Sequence, residues 1–424
     1  MKELKNFYIF TIGQFISQFG SSMTSYGLIL WAYKQSGSVL STSLLLISNI
    51  LPKMLLSYFA GNLTDHFNKK RIMLISDAIA AVLSLGVLIM LFLGHLRLEY
   101  LYLINFIFGI TESFQSNAST VTLSSLVMKE NYMKTSGIRS FFSSVTKIFY
   151  PVTATFFYTI GGMQLIIVMD LLTFVFAFTT LLLFVPISDA IVRRDLSFKE
   201  QCLLGLRYMR KRKDILSLIL FMGFVNLIAG IYSSCLTPMI LARNGNNDFQ
   251  LGVVSSMIGI SGLVGSVLVS KMKFTKKKIT QMLYIMGFSF LVCNSMLGYG
   301  RNYYIWTIMV FIGNLLIPTV IANEDYIVRT IVPKEMLGKV FAIRSMFQYI
   351  AMTVGYFVAG ILTDQILEPF MSRPSSVQIV LSKIVGDGSG SGIALIYLCI
   401  SILGFLGCVL FKKYSNIMSL DNVE

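Results

Sequence analysis

Val127-Met-Lys-Glu-Asn-Tyr-Met-Lys-Thr-Ser-Gly-Ile-Arg-Ser-Phe-Phe142 has a second version later in the chain, Val332-Pro-Lys-Glu-Met-Leu-Gly-Lys-Val-Phe-Ala-Ile-Arg-Ser-Met-Phe347. Seven positions keep their residue type at a constant offset of 205 (332 minus 127), close to half of the 424 residues. An offset of this size indicates one unit copied and joined head to tail. Parallel repeats of hydrophobic segments build several membrane folds that bind a ligand at the interface between the halves.

The composition places the chain in a membrane. It is 55% hydrophobic and 13% charged, with a mean hydropathy of +0.73, whereas a soluble domain carries about 25% charged residues. Apolar runs of about 20 residues, enough to cross roughly 30 Å of hydrocarbon, recur in both halves. We predict an all-α integral membrane fold with twelve transmembrane helices, six per half. The predicted spans are 8–33, 39–63, 72–93, 98–126, 138–160 and 163–186, then 215–241, 250–270, 279–299, 303–328, 338–364 and 391–411.

The net charge of +15 is explained by topology. With the N-terminus inside, alternate loops carry 25 of the 35 Lys and Arg residues, the opposite loops carry 6, and the remaining 4 fall within spans. This bias follows the positive-inside rule and predicts that both termini are cytoplasmic. A nucleic-acid partner is therefore not needed to explain the charge. We expect a multi-pass protein of the plasma membrane that acts as a monomer in the lipid bilayer.

The charge pattern also divides the chain. We predict an N-terminal half at 1–186, a cytoplasmic linker at 187–214 and a C-terminal half at 215–424. Segment 196–213 of the linker combines apolar residues with a cluster of basic ones, which predicts a helix on the inner membrane surface that tethers the halves or regulates them. The outer loop 365–390 ends in a run of Gly and Ser that predicts a flexible linker with little sign of a structured site.

The loop after the second span is Gly61-Asn-Leu-Thr-Asp65-His-Phe-Asn-Lys-Lys-Arg71. It resembles the G-x-x-x-D-R-x-G-R-K/R loop that follows the second helix of the major facilitator superfamily. Val332-Pro-Lys-Glu-Met-Leu-Gly-Lys-Val-Phe341 resembles the V-P-x-x-x-x-G-R-V-F loop of its macrolide-efflux branch, a group of drug:proton antiporters, and Gly360-Ile-Leu-Thr-Asp364 closes the following helix as it does there. The resemblance covers essentially the whole chain.

The resemblance implies a conformational latch. An aspartate at position 65 can accept hydrogen bonds at the N-terminus of the eleventh helix, near Gly338, where backbone N–H groups lack partners. The predicted latch residues are Gly61, Asp65, Lys69, Lys70 and Arg71. For the three basic residues a purely topogenic role remains open. Arg139 and Arg344, equivalent positions of the repeat, complete the gating set and are expected either to snorkel to the inner interface or to clasp acidic residues of the loops there.

Charges within the spans are candidates for proton coupling, because a charged side chain at the bilayer centre costs about 2.5–3.5 kcal/mol. Glu112 and Lys53 each lie 14 residues into spans that run in the same direction (112 minus 98, and 53 minus 39), so they share a depth. We hypothesise that they pair or compete for a proton. Asp170 in the sixth span is the third candidate. A structural Lys53–Glu112 bridge is the alternative.

The resemblance further implies that the first, fourth, seventh and tenth helices line a central cavity. An apolar and aromatic wall with few charges favours an amphipathic organic substrate. Ordinary hydrogen bonding between helices is the alternative role for each residue. The substrate-cavity candidates are Gln14, Gln18, Trp31, Gln115, Asn117, Asn226, Tyr232 and Asn314.

Several kinds of chemistry are not indicated. The chain has no G-x-x-x-x-G-K-[ST] loop for ATP, and only two His and five Cys, without metal-ligand spacing. We therefore expect no enzyme activity, no metal and no cofactor. The resemblance implies a secondary active transporter that exports amphipathic compounds, such as macrolide-like drugs, in exchange for protons by alternating access. The alternatives are an uptake or metabolite-export carrier of the same fold, and a membrane sensor that transports nothing.

Overall fold

The computed structural model describes residues 2–127, 131–184, 207–271 and 275–422. Within these ranges the chain is helical and contains no strand. The first half forms α1 (Lys2–Ser36), α2 (Val39–His66), α3 (Lys69–Phe92), α4 (Leu98–Leu126) and α5 (Tyr132–Phe184). The last of these holds two predicted spans, because helical geometry is interrupted at Gly161 and Gly162. Gly162 has a φ of 64°, which glycine adopts without the penalty a side chain would bring.

The second half is cut into more pieces. It forms α6 (Lys213–Arg243), α7 (Asp248–Lys271), α8 (Lys278–Phe288), α9 (Ser295–Tyr299), α10 (Tyr303–Leu315), α11 (Ile317–Ile331), α12 (Lys334–Ile361), α13 (Glu368–Met371), α14 (Ser376–Val385) and α15 (Ser391–Tyr414), and then a 3₁₀ segment, Asn416–Asn422. Two π-helical segments, Ser289–Asn294 and Leu362–Leu367, continue α8 and α12. Such π segments are rare and occur often at functional positions.

The membrane spans confirm the predicted number. Nine helical stretches of the described chain are apolar and long enough to cross a bilayer, and one of them, Gly137–Phe184, has the length of two passes on either side of its glycine break. The more polar α1 and α4 have the required length. Together they give the twelve passes, six in each half of the sequence.

The chain divides into two compact units. The first comprises Met1–Ser36 and Leu44–Asp195, and the second comprises Gly37–Ser43 and Leu196–Glu424. The first residues of α2 belong to the second unit because the carboxylate of Asp364 accepts hydrogen bonds from them. The main division lies within the predicted linker, and the domain limits 1–186, 187–214 and 215–424 stay predictions.

Glycines set the packing of the first unit. Gly13, Gly20 and Gly27 recur every seven residues on α1 and face the second limb of α5, residues 163–184. A Cβ atom at Gly20 would lie 2.9 Å from Asp170 Oδ1. Small residues at this spacing let two membrane helices approach closely. The second unit repeats the device, since Gly230 of α6 and Gly355 of α12 lie against each other.

The loop at 365–390 contains two helices that the sequence pattern did not predict, and the flexibility of its Gly/Ser run stays a prediction. The two helices are α13 and α14, and Gly386, Gly388 and Gly390 follow with φ values of 88°, 89° and 82°. The guanidinium of Arg243 donates hydrogen bonds to the carbonyl oxygens of Gly298, at 3.1 Å, and Val385. Glycine supplied the left-handed turns that end α14, and composition alone cannot distinguish such turns from a mobile run.

Candidate functional site

Asp170 is the centre of a buried polar cluster in the first unit. It lies on the second limb of α5 and is 7% exposed. Ser21 Oγ of α1 and Ser84 Oγ of α3 each donate to its carboxylate at 3.4 Å. No cation pairs with Asp170 in the described part of the chain. Hydroxyl groups can both donate and accept, so this setting accommodates the ionised carboxylate and the protonated acid.

Asp77 forms a second cluster that the sequence reasoning missed. It lies on α3 seven residues before Ser84 and is 8% exposed. The amide of Gln115 on α4 lies within hydrogen-bonding reach of its carboxylate, and Gln115 Nε2 donates to Gln14 Oε1 of α1 at 3.1 Å. A lone aspartate in the apolar run 72–93 was the available signal. That aspartate becomes a candidate site only because amide side chains from α1 and α4 lie near it. The sequence pattern does not predict this contact between helices.

The substrate-cavity candidates separate into two groups. Gln14 and Gln115 meet, whereas the amides of Asn117, Asn226 and Asn314 donate to the carbonyl oxygen four residues earlier on their own helix, at 2.8–2.9 Å. These three asparagines therefore show the alternative role given above, ordinary hydrogen bonding within the helices. Gln18 is exposed and Trp31 is half-buried.

Tyr232 packs in the second unit. Its ring meets that of Tyr397 edge to face at 5.7 Å, and Tyr397 Oη donates to the Tyr232 carbonyl oxygen at 2.8 Å. The Tyr232 hydroxyl lies near Asn314 but reaches no bonding geometry among the described residues. A buried hydroxyl without a partner is costly, which makes this oxygen the best placed of the second-unit candidates to bind a ligand group.

Lys53 and Glu112 meet. Lys53 Nζ of α2 lies 2.5 Å from Glu112 Oε2 of α4, and the two side chains are 26% and 60% exposed. The equal depth of the two positions predicted this contact. The pairing alone does not decide between a structural bridge and a site that exchanges a proton.

Arg344 clasps two acids of the preceding helix. Arg344 Nη1 of α12 lies 2.5 Å from Asp325 Oδ1, and its Nε lies 3.6 Å from Glu324 Oε1, which also accepts from Gln348 Nε2 at 3.0 Å. Glu324 is only 2% exposed. The equivalent positions in the first half hold Ser119 and Thr120 (324 minus 205, and 325 minus 205). Arg139 is correspondingly exposed, with no ion pair among the described side chains.

The predicted latch is only partly described. The surroundings of Gly61 and the side chain of Asp65 lie outside what the structure describes, so the role of both residues stays a prediction. Lys69 is 3% exposed at the start of α3, and Lys70 Nζ donates to the Leu182 carbonyl oxygen at 3.0 Å. A cation bound to the last carbonyls of a helix is favoured by the helix dipole. Arg71 is exposed, and its backbone N–H is capped by Asn68 Oδ1 at 2.9 Å.

A cavity of about 420 Å³ lies elsewhere in the second unit. It is open to the surface, and its lining includes Gln365, Phe370 and Arg373. None of the predicted cavity residues contributes to it. Its position beside α13 therefore does not identify a substrate site.

Comparison with known proteins agrees with this architecture. Residues 10–356 match the family described as the Major Facilitator Superfamily. The chain is 23% identical over 366 residues to macrolide efflux protein A of Streptococcus pyogenes, covering 85% of this chain and 90% of that protein. It is 24% identical over 326 residues to macrolide efflux protein A of Enterococcus faecalis, covering 76% and 99%. The solved structure of the nucleoside transporter NupG matches with a TM-score of 0.69 at 12% identity, covering 97% of this chain and 100% of that one.

The matched region runs from within α1 to within α12, which is the eleventh of the twelve passes, and the fold match extends over nearly the whole chain. The relatives are transporters and not enzymes. Buried carboxylates within apolar helices are what a membrane carrier, rather than a soluble catalyst, is expected to contain. The chain is therefore a secondary transporter that belongs to the Major Facilitator Superfamily.

Proposed function

We propose that the protein exports amphipathic organic compounds, such as macrolide-like drugs, from the cytoplasm in exchange for protons. The names of the relatives support the direction and the substrate class, since two of them are macrolide efflux proteins. In this proposal the transporter lies in the plasma membrane, both termini are cytoplasmic and one chain is sufficient. The charge bias of the loops supports that orientation.

The environment of Asp170 carries the proposal of proton coupling. Its carboxylate is buried within a membrane helix and is bound by the neutral hydroxyls of Ser21 and Ser84. Keeping a charge at that depth is expensive, whereas binding a proton removes the charge. A carboxyl group that gains and loses a proton during the cycle would link the conformational change to the proton gradient.

Glu112 is the second coupling candidate. Its ion pair with Lys53 is neutral as a whole, so Glu112 does not need a proton to avoid an uncompensated charge. Its side chain is also 60% exposed, compared with 7% for the Asp170 residue. We therefore favour Asp170 as the proton carrier and assign Lys53 and Glu112 a structural role.

Amides of the first unit supply polar contacts for the substrate in this proposal. Gln14 and Gln115 have side-chain polar atoms that are not bound to their own helix backbone. Within the second unit, taken by itself, the Tyr232 hydroxyl is the candidate for such a contact. Gly61, Asp65 and the basic residues after them would form the latch implied by the family. The substrate-contact candidates themselves are uncharged. An amphipathic compound is bound mainly by apolar surface and needs few charged contacts.

A transport assay with an uncoupler tests the proposal. Cells with and without the gene are loaded with a radiolabelled macrolide, and accumulation is measured before and after the proton gradient is collapsed. A proton-coupled exporter lowers accumulation, and the uncoupler abolishes that difference. An uptake carrier would raise accumulation, and a sensor would leave it unchanged.

Two variants refine the assay. Asp170→Asn keeps the shape of the side chain but cannot exchange a proton, so we expect loss of uncoupler-sensitive export. Asp387→Asn changes an exposed loop carboxylate and is the matched control. Equal export by the two variants at equal membrane abundance would rule out Asp170 as the proton carrier.

A further inference from the structure

The buried face of α3 carries a carboxylate with an incomplete set of hydrogen bonds. Asp77 is 8% exposed, and its Oδ2 has no partner among the described residues. Gln115 lies within reach of this carboxylate, and its Oε1 also lacks a described partner. Both unbonded atoms are hydrogen-bond acceptors, because the oxygens of an ionised aspartate and of an amide carry no hydrogen. The amide N–H groups of Gln115 donate to Gln14 and reach the Asp77 carboxylate, but no described donor reaches Asp77 Oδ2 or Gln115 Oε1.

The surrounding helices do not supply a cation. On α4, Glu112 is paired with Lys53, and α1 contributes the neutral Gln14. On α5, the nearby charged group is Asp170, which is an acid. Its carboxylate accepts a hydrogen bond from Ser84, a residue of α3 that lies two turns after Asp77. Lys69 lies eight residues before Asp77 on α3 itself. No ion pair joins Asp77 to any charged side chain in the described ranges.

A proton is the ligand that fits this cluster. It needs no cavity, it cancels the charge of the buried carboxylate, and it turns one acceptor into a donor for a neighbouring amide oxygen. An organic substrate or a hydrated metal ion would need open volume beside a side chain that is almost fully enclosed.

We propose that Asp77, with Gln115 and Gln14, is a second proton-binding site in the first unit. Protonation converts the carboxylate to a carboxylic acid, and the acid O–H donates to an amide oxygen of the cluster. Asp77 and Ser84 share one face of α3, seven residues or about 10 Å apart. Asp170 itself lies on α5 but contacts α3 at Ser84, so the two proton sites meet α3 at two levels along its axis.

This inference rests on the proposed function for its role, since two sites at different depths would let a proton cross the first unit in steps. Proton binding itself can be measured without transport. Infrared difference spectra of the purified full-length protein, recorded over a pH titration, detect the carbonyl stretch of a protonated carboxylic acid. A protein that exports without proton coupling would still show the band from Asp77.

Asp77→Asn is the first test variant, with Asp170→Asn and Asp387→Asn recorded in parallel. We expect the Asp77→Asn spectra to lose one carboxylic-acid band that the other two variants retain, and Asp170→Asn to lose a different one. Gln115→Leu is the second variant, because it keeps the carboxyl group but removes its amide neighbour, and it should shift the same band. Spectra of Asp77→Asn that match the wild type at every pH would overturn the proposal. If Asp77→Asn does not fold, an unshifted band in Gln115→Leu would overturn it.

Discussion

The backbone N–H of Leu40 donates a hydrogen bond of 2.8 Å to Asp364 Oδ2, across 324 positions of the sequence. The Val39 N–H donates to the other carboxylate oxygen at 3.1 Å, and Ser38 Oγ donates to Oδ2 at 2.5 Å. One carboxylate from the π-helical segment after α12 therefore caps the start of α2. A negative charge at a helix N-terminus satisfies free N–H groups and is favoured by the helix dipole.

Removing that carboxylate should destabilise the second unit. We expect Asp364→Ala to lower the free energy of unfolding by about 1 kcal/mol, the usual cost of losing an N-cap. Thermal unfolding of the purified protein measures the loss. Asp387→Ala, at an exposed position in the turns between α14 and α15, is the control. Equal unfolding temperatures for the two variants would contradict the capping role.

A methyl group at Gly20 should disturb the packing of α1 against α5 around Asp170. Its Cβ would clash first with Thr173 Oγ1 and would also lie 2.9 Å from Asp170 Oδ1, so α1 or α5 must shift. We expect Gly20→Ala to cost about 1–3 kcal/mol, as overpacked interiors do. Gly86→Ala is the control, because a Cβ there meets no atom within 4 Å. The idea fails if both variants unfold at the temperature of the wild type.

Loss of Arg344 should leave two acids uncompensated. Since Glu324 is 2% exposed, Arg344→Gln would strand a buried charge, at a cost of about 3–5 kcal/mol. Arg139→Gln, at the equivalent position of the first repeat, should change the free energy of unfolding little. Ser119 and Thr120 stand there at the positions of the two acids. Chemical unfolding of both variants tests the asymmetry. Similar losses for the two arginines would mean that the repeat has kept the clasp in both halves.

The C-terminal segment should stabilise the second unit. Asp421 Oδ1 accepts from the Ile279 N–H at 2.6 Å, and its Oδ2 accepts from the Thr280 N–H at 3.0 Å, which caps α8. Ile417 and Leu420 of the same segment are buried. We expect Asp421→Ala to lower the unfolding temperature, with a cap again contributing about 1 kcal/mol. Asp387→Ala serves once more as the control, and an unchanged unfolding temperature would exclude the cap.

The sequence predicted what depends on composition and spacing along the chain. Apolar runs predicted the passes, and equal depth predicted the Lys53–Glu112 contact. The sequence could not show that Ser21 and Ser84 meet at Asp170, because serine is common in such helices and its partner depends on three-dimensional packing. Asp77 was overlooked because its partners also come from other helices and depend on three-dimensional packing. The sequence also could not show that the glycines of the run 386–392 form left-handed turns, because such turns and mobile linkers share a composition.

A charge exchange separates the two roles of the Lys53–Glu112 pair. Lys53→Glu and Glu112→Lys each place like charges at the 2.5 Å contact, so each single variant should be less abundant or less stable. The double variant restores an ion pair with the order reversed. We expect it to recover both folding and uncoupler-sensitive export, because the proposed proton carrier is Asp170.

The outcome depends on which group carries the proton. A lysine at position 112 cannot replace a carboxyl group that must be neutral when protonated and negative when not. If Glu112 is the carrier, the double variant will fold and reach the membrane but fail to export. Glu112→Gln gives an independent reading, since export with an unchanged pH dependence is expected of a purely structural pair. A folded, inactive double variant together with an altered pH dependence in Glu112→Gln would transfer the coupling role from Asp170 to Glu112.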